Sequence, residues 1–210
     1  MPEGIVHSEL LRRPGKLYVL ASHFHPDHFN KEVLQWREQR PDIIYIFSKD
    51  ILRHRRAQKE DAVWLKKGEE YKDETLSVRA FGSTDVGVSF LLQAGGKKIF
   101  HAGDLNNWHW MDESTEAEWK GAEKNFLHEL DDLYAYTPEV DVAMFPVDPR
   151  LGKEYMRGAG QFVTKIKTHI FVPMHFTPEY AKANAFRDFA EAHGVRFVSL
   201  THRGQKIEIE

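Results

Sequence analysis

At 210 residues, with hydrophobic content of 41% and charged content of 29%, the chain has the make-up of one soluble globular domain spanning residues 1–210. A formal net charge of −3 gives no electrostatic reason to expect a nucleic acid or an anionic membrane as partner. Cysteine is absent, which excludes disulfides, thiolate metal sites and a Cys nucleophile, so any metal must be held by His, Asp or Glu. No apolar run approaches the ~20 residues of a membrane span. Met1 to Pro14 lacks the apolar centre of a signal peptide, and a cytoplasmic location is expected.

In chain order, Leu17-Tyr18-Val19-Leu20 reads as a strand running into Ser22-His23-Phe24-His25-Pro26-Asp27-His28. Neutral imidazole and carboxylate are the usual protein ligands for zinc and similar ions. If the chain is still extended, His23 and His25 point to the same side. Pro26 turns Asp27 and His28 toward a second direction. The competing reading is a solvated His-rich loop.

Asn30 can cap a helix reaching about Gln39, and Ile43 to Phe47 reads as a buried strand. The charged stretch from Ser48 to Asp61 suits a surface helix or turn. Leu76, Val78 and Ala80 alternate, Val88 to Gln93 is apolar, and Gly95-Gly96 turns a hairpin into Lys98-Ile99-Phe100. Thr115 and Glu118 can form a capping box for the longest helix, with Trp119, Ala122, Phe126, Leu130 and Leu133 as its buried stripe. Then come a strand at Val140 to Phe145, a helix from Lys153 to Lys167, and a strand at Ile170 to Val172. Thr177-Pro178 opens a helix that closes at Gly194, and strands at Val195 to Leu200 and Gln205 to Glu210 end the chain. The class is α/β (α+β), one domain with helices outside packed sheets.

Two later strand ends carry related chemistry: His101-Ala102-Gly103-Asp104, and Pro173-Met174-His175. With H-x-H-x-D-H at His23 to His28, they make the chain resemble the metallo-β-lactamase superfamily of metal-dependent hydrolases, in particular its ascorbate-phosphate lactonase-like branch. The resemblance implies a four-layer αββα sandwich with the site along one edge of two sheets. It also implies one or two Zn2+, or another divalent ion such as Mn2+ or Fe2+. Carried over, Asp27, His28, Asp104 and His175 supply one metal position, and His23 and His25 supply part of the other.

The family's third His for that other position is replaced here by Ser83, a hydroxyl and a poor zinc ligand. Asp85 is the nearest carboxylate; it either completes the position or bonds backbone amides in its turn. The first sheet should lack the family's first strands; either the sequence starts inside a longer protein, or a partner chain such as a second copy covers that gap. Asn107 and His109, beside Trp108 and Trp110, can line a substrate pocket or pack the next helix. Arg150 can bind an anionic substrate or form a surface ion pair.

The implied activity is hydrolysis of a small ester, lactone or phosphate ester by a metal-activated water, with Asp27 orienting the water or relaying its proton. A phosphodiesterase or nuclease, and a non-catalytic metal-binding module, are the alternatives.

Overall fold

The computed structural model describes residues 8–176 and 178–208. Its helices are α1 (Ser8–Leu11), α2 (Lys49–Arg53), α3 (Glu116–Tyr136), α4 (Arg157–Lys165), α5 (Tyr180–Asn184) and α6 (Arg187–Ala192). Its strands are β1 (Tyr18–Ala21), β2 (Ile44–Ser48), β3 (Val63–Leu65), β4 (Glu70–Lys72), β5 (Ser77–Phe81), β6 (Ser89–Ala94), β7 (Lys97–His101), β8 (Glu139–Pro146), β9 (Lys167–Met174) and β10 (Arg196–Phe197).

Alternation of apolar residues along the strands produces two sheets that face each other. The small sheet is β1-β2-β3, all parallel. The large one runs β10-β9-β8-β7-β6-β5-β4, antiparallel from β4 to β7 and parallel from β7 to β10. Ile46 and Leu65 meet Val78, Ala80 and Phe90 between the sheets. Tyr45 and Phe47, on the other side of β2, pack with Leu11, Phe29 and Ile51. The outer face of the large sheet buries Phe100, Phe145 and Phe171 against Phe126, Leu130, Phe162 and Phe186 from α3, α4 and the α5–α6 junction. Each such fully buried ring contributes roughly 1.5–3 kcal/mol. The result is the expected αββα order of layers; among the described residues the small sheet has three strands, with β1 at one edge.

The 3₁₀ helix Lys31–Glu38 takes the place of the expected helix after the His cluster, capped by Asn30. Thr115 and Glu118 form the expected capping box of α3. Three expectations are corrected. The helix expected from Lys153 begins only at Arg157, and Lys153 and Glu154 belong instead to a 3₁₀ segment, Pro149–Glu154, kinked at Gly152 with φ +82°. The helix expected up to Gly194 is two short helices, and Thr177 lies outside the described residues. Residues 205–208 form no strand: Ile207 packs on the inner sheet face beside Val198 instead, and 209–210 lie outside the described residues. Among the described residues no helix is long and apolar enough to cross a membrane.

Topology decides where chemistry can gather. β7, β8 and β9 are adjacent and parallel, so their C-terminal ends reach one edge together. β5 runs parallel to β7 across the hairpin and ends there too. β1 delivers its own end to the same edge from the small sheet.

Candidate metal centre

β1 ends in the buried pair Ser22-His23. The turn that follows is closed by backbone amides of His28 and Phe29, both donating to His25 O at 3.0 and 2.8 Å. Asp50 Oδ2 accepts from Phe24 N at 2.9 Å, and Phe29 is buried under the small sheet, so the turn is clamped at both ends. The Asp104 turn approaches closely. A side chain at Gly103, at φ +57°, would sit 2.9 Å from Ser22 Cβ and from Val88 O, so only glycine fits.

Asp104 stands at the centre. Its Oδ2 lies 3.3 Å from His23 Nε2, while its Oδ1 lies 3.1 Å from His28 Nε2 and 3.4 Å from His175 Nε2. The two oxygens of one carboxylate thus serve two groups of side chains. His23, His25, Asp85 and Asp104 each offer a ligand atom within 4.8 Å of one another, and so do Asp27, His28 and His175. Within these groups, Asp85 Oδ2 is 3.7 Å from His25 Nδ1 and Asp27 Oδ2 is 3.5 Å from His28 Nε2.

These residues fit a divalent ion. His23 Nε2 and Asp104 Oδ1 are buried with no hydrogen-bond partner, an arrangement that costs about 1–3 kcal/mol per atom unless something else binds them. An ion holding ligands tetrahedrally at about 2.0 Å spaces them about 3.3 Å apart, which is the spacing around Asp104.

The supports are specific. Ser22 Oγ meets His23 Nδ1 at 3.1 Å, leaving Nε2 for the centre. Asp148, just past β8, accepts from His175 Nδ1 at 3.0 Å and so directs Nε2 inward, the arrangement that fixes a ligating imidazole. His175 sits at φ +64°, and Trp108 packs edge-on against its ring while donating from Nε1 to Asp104 O at 2.8 Å. Ser83 Oγ accepts from Asp85 N at 3.4 Å, and Thr84 Oγ1 ties this turn to Asn106 N and O at 2.9 and 2.5 Å.

Burial, reinforced by the neighbouring imidazoles His28 and His25, depresses the His23 pKa to about 3. Burial likewise lowers His28 and raises Asp104. At His175 burial works downward too, but the Asp148 hydrogen bond and the charges of Asp104 and Asp148 outweigh it and raise the pKa. Asp148 itself is pulled down to about 2 against the opposing effect of burial, by its bonds from His175 and Arg150. At neutral pH His23 is therefore unprotonated, the form a metal ion would need.

Residues 8–176 match the beta-lactamase superfamily domain. The chain belongs to the beta-lactamase superfamily. Solved structures similar to it include Igni18, a metallo hydrolase from Ignicoccus hospitalis KIN4/I, at 18% identity and TM-score 0.60, covering 88% of this chain and 76% of that one. YhfI from Bacillus subtilis, a metallo-beta-lactamase fold protein, aligns at 12% identity and TM-score 0.55, over 87% of this chain and 75% of that one. Zn(2+)-bound PqqB from Methylobacterium extorquens aligns at 16% identity and TM-score 0.53, over 91% of this chain and 73% of that one. At these identities the likeness is one of fold. No curated protein matches the chain.

A superfamily fold also directs the three residues expected at a substrate. A cavity of about 420 Å³ opens beside the Asp27–His28–His175 group, lined among others by Asp27, Arg150, Phe176 and Lys182. Arg150 reaches this wall with its guanidinium forked onto Asp148, and Nη2 is 3.3 Å from His175 Nδ1. Asn107 and His109 do not reach it. Asn107 is fully buried and donates to Glu123 Oε2 and Gln161 Oε1. His109 is buried against Glu154 O at 3.1 Å and accepts from Met111 N. Asn107 ties the Asp104 loop to α3 and α4, His109 ties it to the 3₁₀ turn before α4, and neither faces the opening. Asp148 joins the cluster through His175 without having stood out in the sequence; its signal is a carboxylate just after an apolar strand, eclipsed by Arg150 two residues on.

Proposed function

We propose that the chain is a metal-dependent hydrolase of a small ester, lactone or phosphate ester, with its site at the edge where β1, β5, β7, β8 and β9 end. One observation carries this reading above the others. Four imidazoles and two further carboxylates gather about Asp104, with His23 Nε2 and Asp104 Oδ1 buried and unbonded, beside a cavity of about 420 Å³.

His23, His25, Asp85 and Asp104 would hold one ion, and Asp27, His28, His175 and Asp104 the other. A bound divalent ion supplies Lewis acidity and lowers the pKa of water from about 15.7 to about 7. Asp148 keeps His175 in the tautomer that presents Nε2 to the centre. Ser22 does the same for His23. Asp27, with its side chain 65% exposed at the cavity mouth, can orient the attacking water and take its proton. Phe176 walls the cavity that receives the substrate, and Trp108 holds the His175 ring from the side.

A panel of esters, lactones, phosphomonoesters and phosphodiesters, assayed with metal analysis of the same samples, tests the reading. Turnover that rises with metal content and disappears in Asp104→Ala supports it. Full turnover in metal-free protein overturns it.

A further inference from the structure

With Ser83 where the resemblance implies an imidazole, the group that faces His25 is a carboxylate, Asp85. Asp104 gives Oδ2 to the side of His23 and Oδ1 to the side of His28 and His175. Counting that shared carboxylate, one group contains two imidazoles and two carboxylates, His23, His25, Asp85 and Asp104. The other contains Asp27, His28 and His175 with the same Asp104, again two imidazoles and two carboxylates. The donor sets match.

Asp85 is also placed for this part. Ser83, which stands in the turn where an imidazole is expected, holds the Asp85 backbone amide through Oγ. Thr84 fastens the same turn to the Asp104–Asn106 backbone. The Asp85 carboxylate lies on the open side of the centre, 44% exposed, beside His25 at 37%. Carboxylate oxygen is a harder donor than imidazole nitrogen. Imidazole suits zinc, whereas oxygen-rich sets suit manganese and similar ions, and ligand type rather than raw affinity sets selectivity.

We infer that Asp85 makes the two positions chemically equivalent, so that the chain takes a matched pair of ions sharing Asp104, and its first position, that of His23, His25 and Asp85, has a weakened preference for zinc over Mn2+. This rests on the metal-dependent reading above and specifies which ions that site accepts. The added carboxylate also compensates charge: three carboxylates, Asp27, Asp85 and Asp104, against two divalent ions would leave one net positive charge, where an imidazole in place of Asp85 would leave two.

The test uses the full chain, stripped by chelator and titrated separately with Zn2+ and Mn2+, with metal content and low-temperature EPR as readouts. Wild type should bind two equivalents of Mn2+ with a spin-coupled spectrum. Asp85→Ala should bind one equivalent and give an uncoupled spectrum. Asp85→His should keep two equivalents and raise the zinc-over-manganese affinity ratio of the first position by about tenfold. Because Asp85 is a half-exposed turn residue, the metal-free variants should melt with wild type, which separates ligand loss from unfolding. Two equivalents in Asp85→Ala, or an unchanged ratio in Asp85→His, overturns the inference. If such a result comes with undiminished metal-dependent turnover, the hydrolase reading survives it. Failure of wild type to bind either ion sinks both.

Discussion

The two halves of the centre use the same kinds of donor but are held differently. Around Asp27, His28 and His175, the His175 ring is backed by Asp148, which is in turn gripped by Arg150. Around His23, His25 and Asp85, only His23 is deeply buried, and the other two stand in turns open to solvent. One half is therefore held by a carboxylate behind its imidazole, and the other by hydroxyl-to-backbone bonds within and between turns. The difference teaches that ligand type and ligand support are separate variables. It predicts that substitutions behind the ligands will affect the halves unequally, whereas the shared Asp104 will affect both.

The largest effect is expected at Asp104. Asp104→Ala removes a ligand from each group, so metal content should fall from about two equivalents toward none and turnover should fall with it, as read by elemental analysis and assay. Retention of one full equivalent would break the shared role.

The next effect concerns pH. In the metal-free protein His23 is held at about pKa 3, against about 6.5 in the unfolded chain. Between those values the unfolded state binds the extra proton, so stability is fully present above about pH 6.5 and declines as pH falls toward 3. The slope is about 1.4 kcal/mol per pH unit from this group. Denaturant melts of His23→Asn should lack that part of the slope. Identical pH profiles for the variant and wild type would remove the claim that His23 is buried unprotonated. The raised His175 pKa acts in the opposite sense, which is why the comparison with His23→Asn is needed.

Asp148→Asn should weaken the affinity of the second position by about 10–100-fold and leave the first unchanged, as resolved by two-site titration calorimetry. Equal weakening of both would show that the halves are not separately supported. The smallest effect is at Thr84. Thr84→Val loses the bonds to Asn106 and should cost about 1 kcal/mol in a thermal melt, with its metal-binding effect confined to the first position.

Much of this centre was legible in the sequence because ligands placed at strand ends are local signals. His23 to His28 announce themselves by density, and Asp104 and His175 by sitting just past apolar strands. The layers of the fold followed from strand and helix periodicity in the same way. What escaped was orientation. Asn107 and His109 are as close in sequence to Asp104 as any wall residue, yet the loop turns them away from the opening, Asn107 donating to Glu123 of α3 and Gln161 of α4 and His109 meeting Glu154 O. Asp148 and Asp85 are single carboxylates in turns, indistinguishable in sequence from backbone-bonding Asp residues until their partners are known. The fragmentation of the helix before Gly194 and the missing last strand were illegible for a related reason. Both depend on packing across the sheet, where Phe186 and Ile207 find their places, rather than on local propensity.

The most direct measurement is a metal titration of the chelator-stripped chain with turnover recorded at each addition. Two ions should bind per chain, hydrolysis should appear only as they bind, and chelator should abolish it. Undiminished hydrolysis in the stripped chain, or no binding at micromolar metal, would contradict the account.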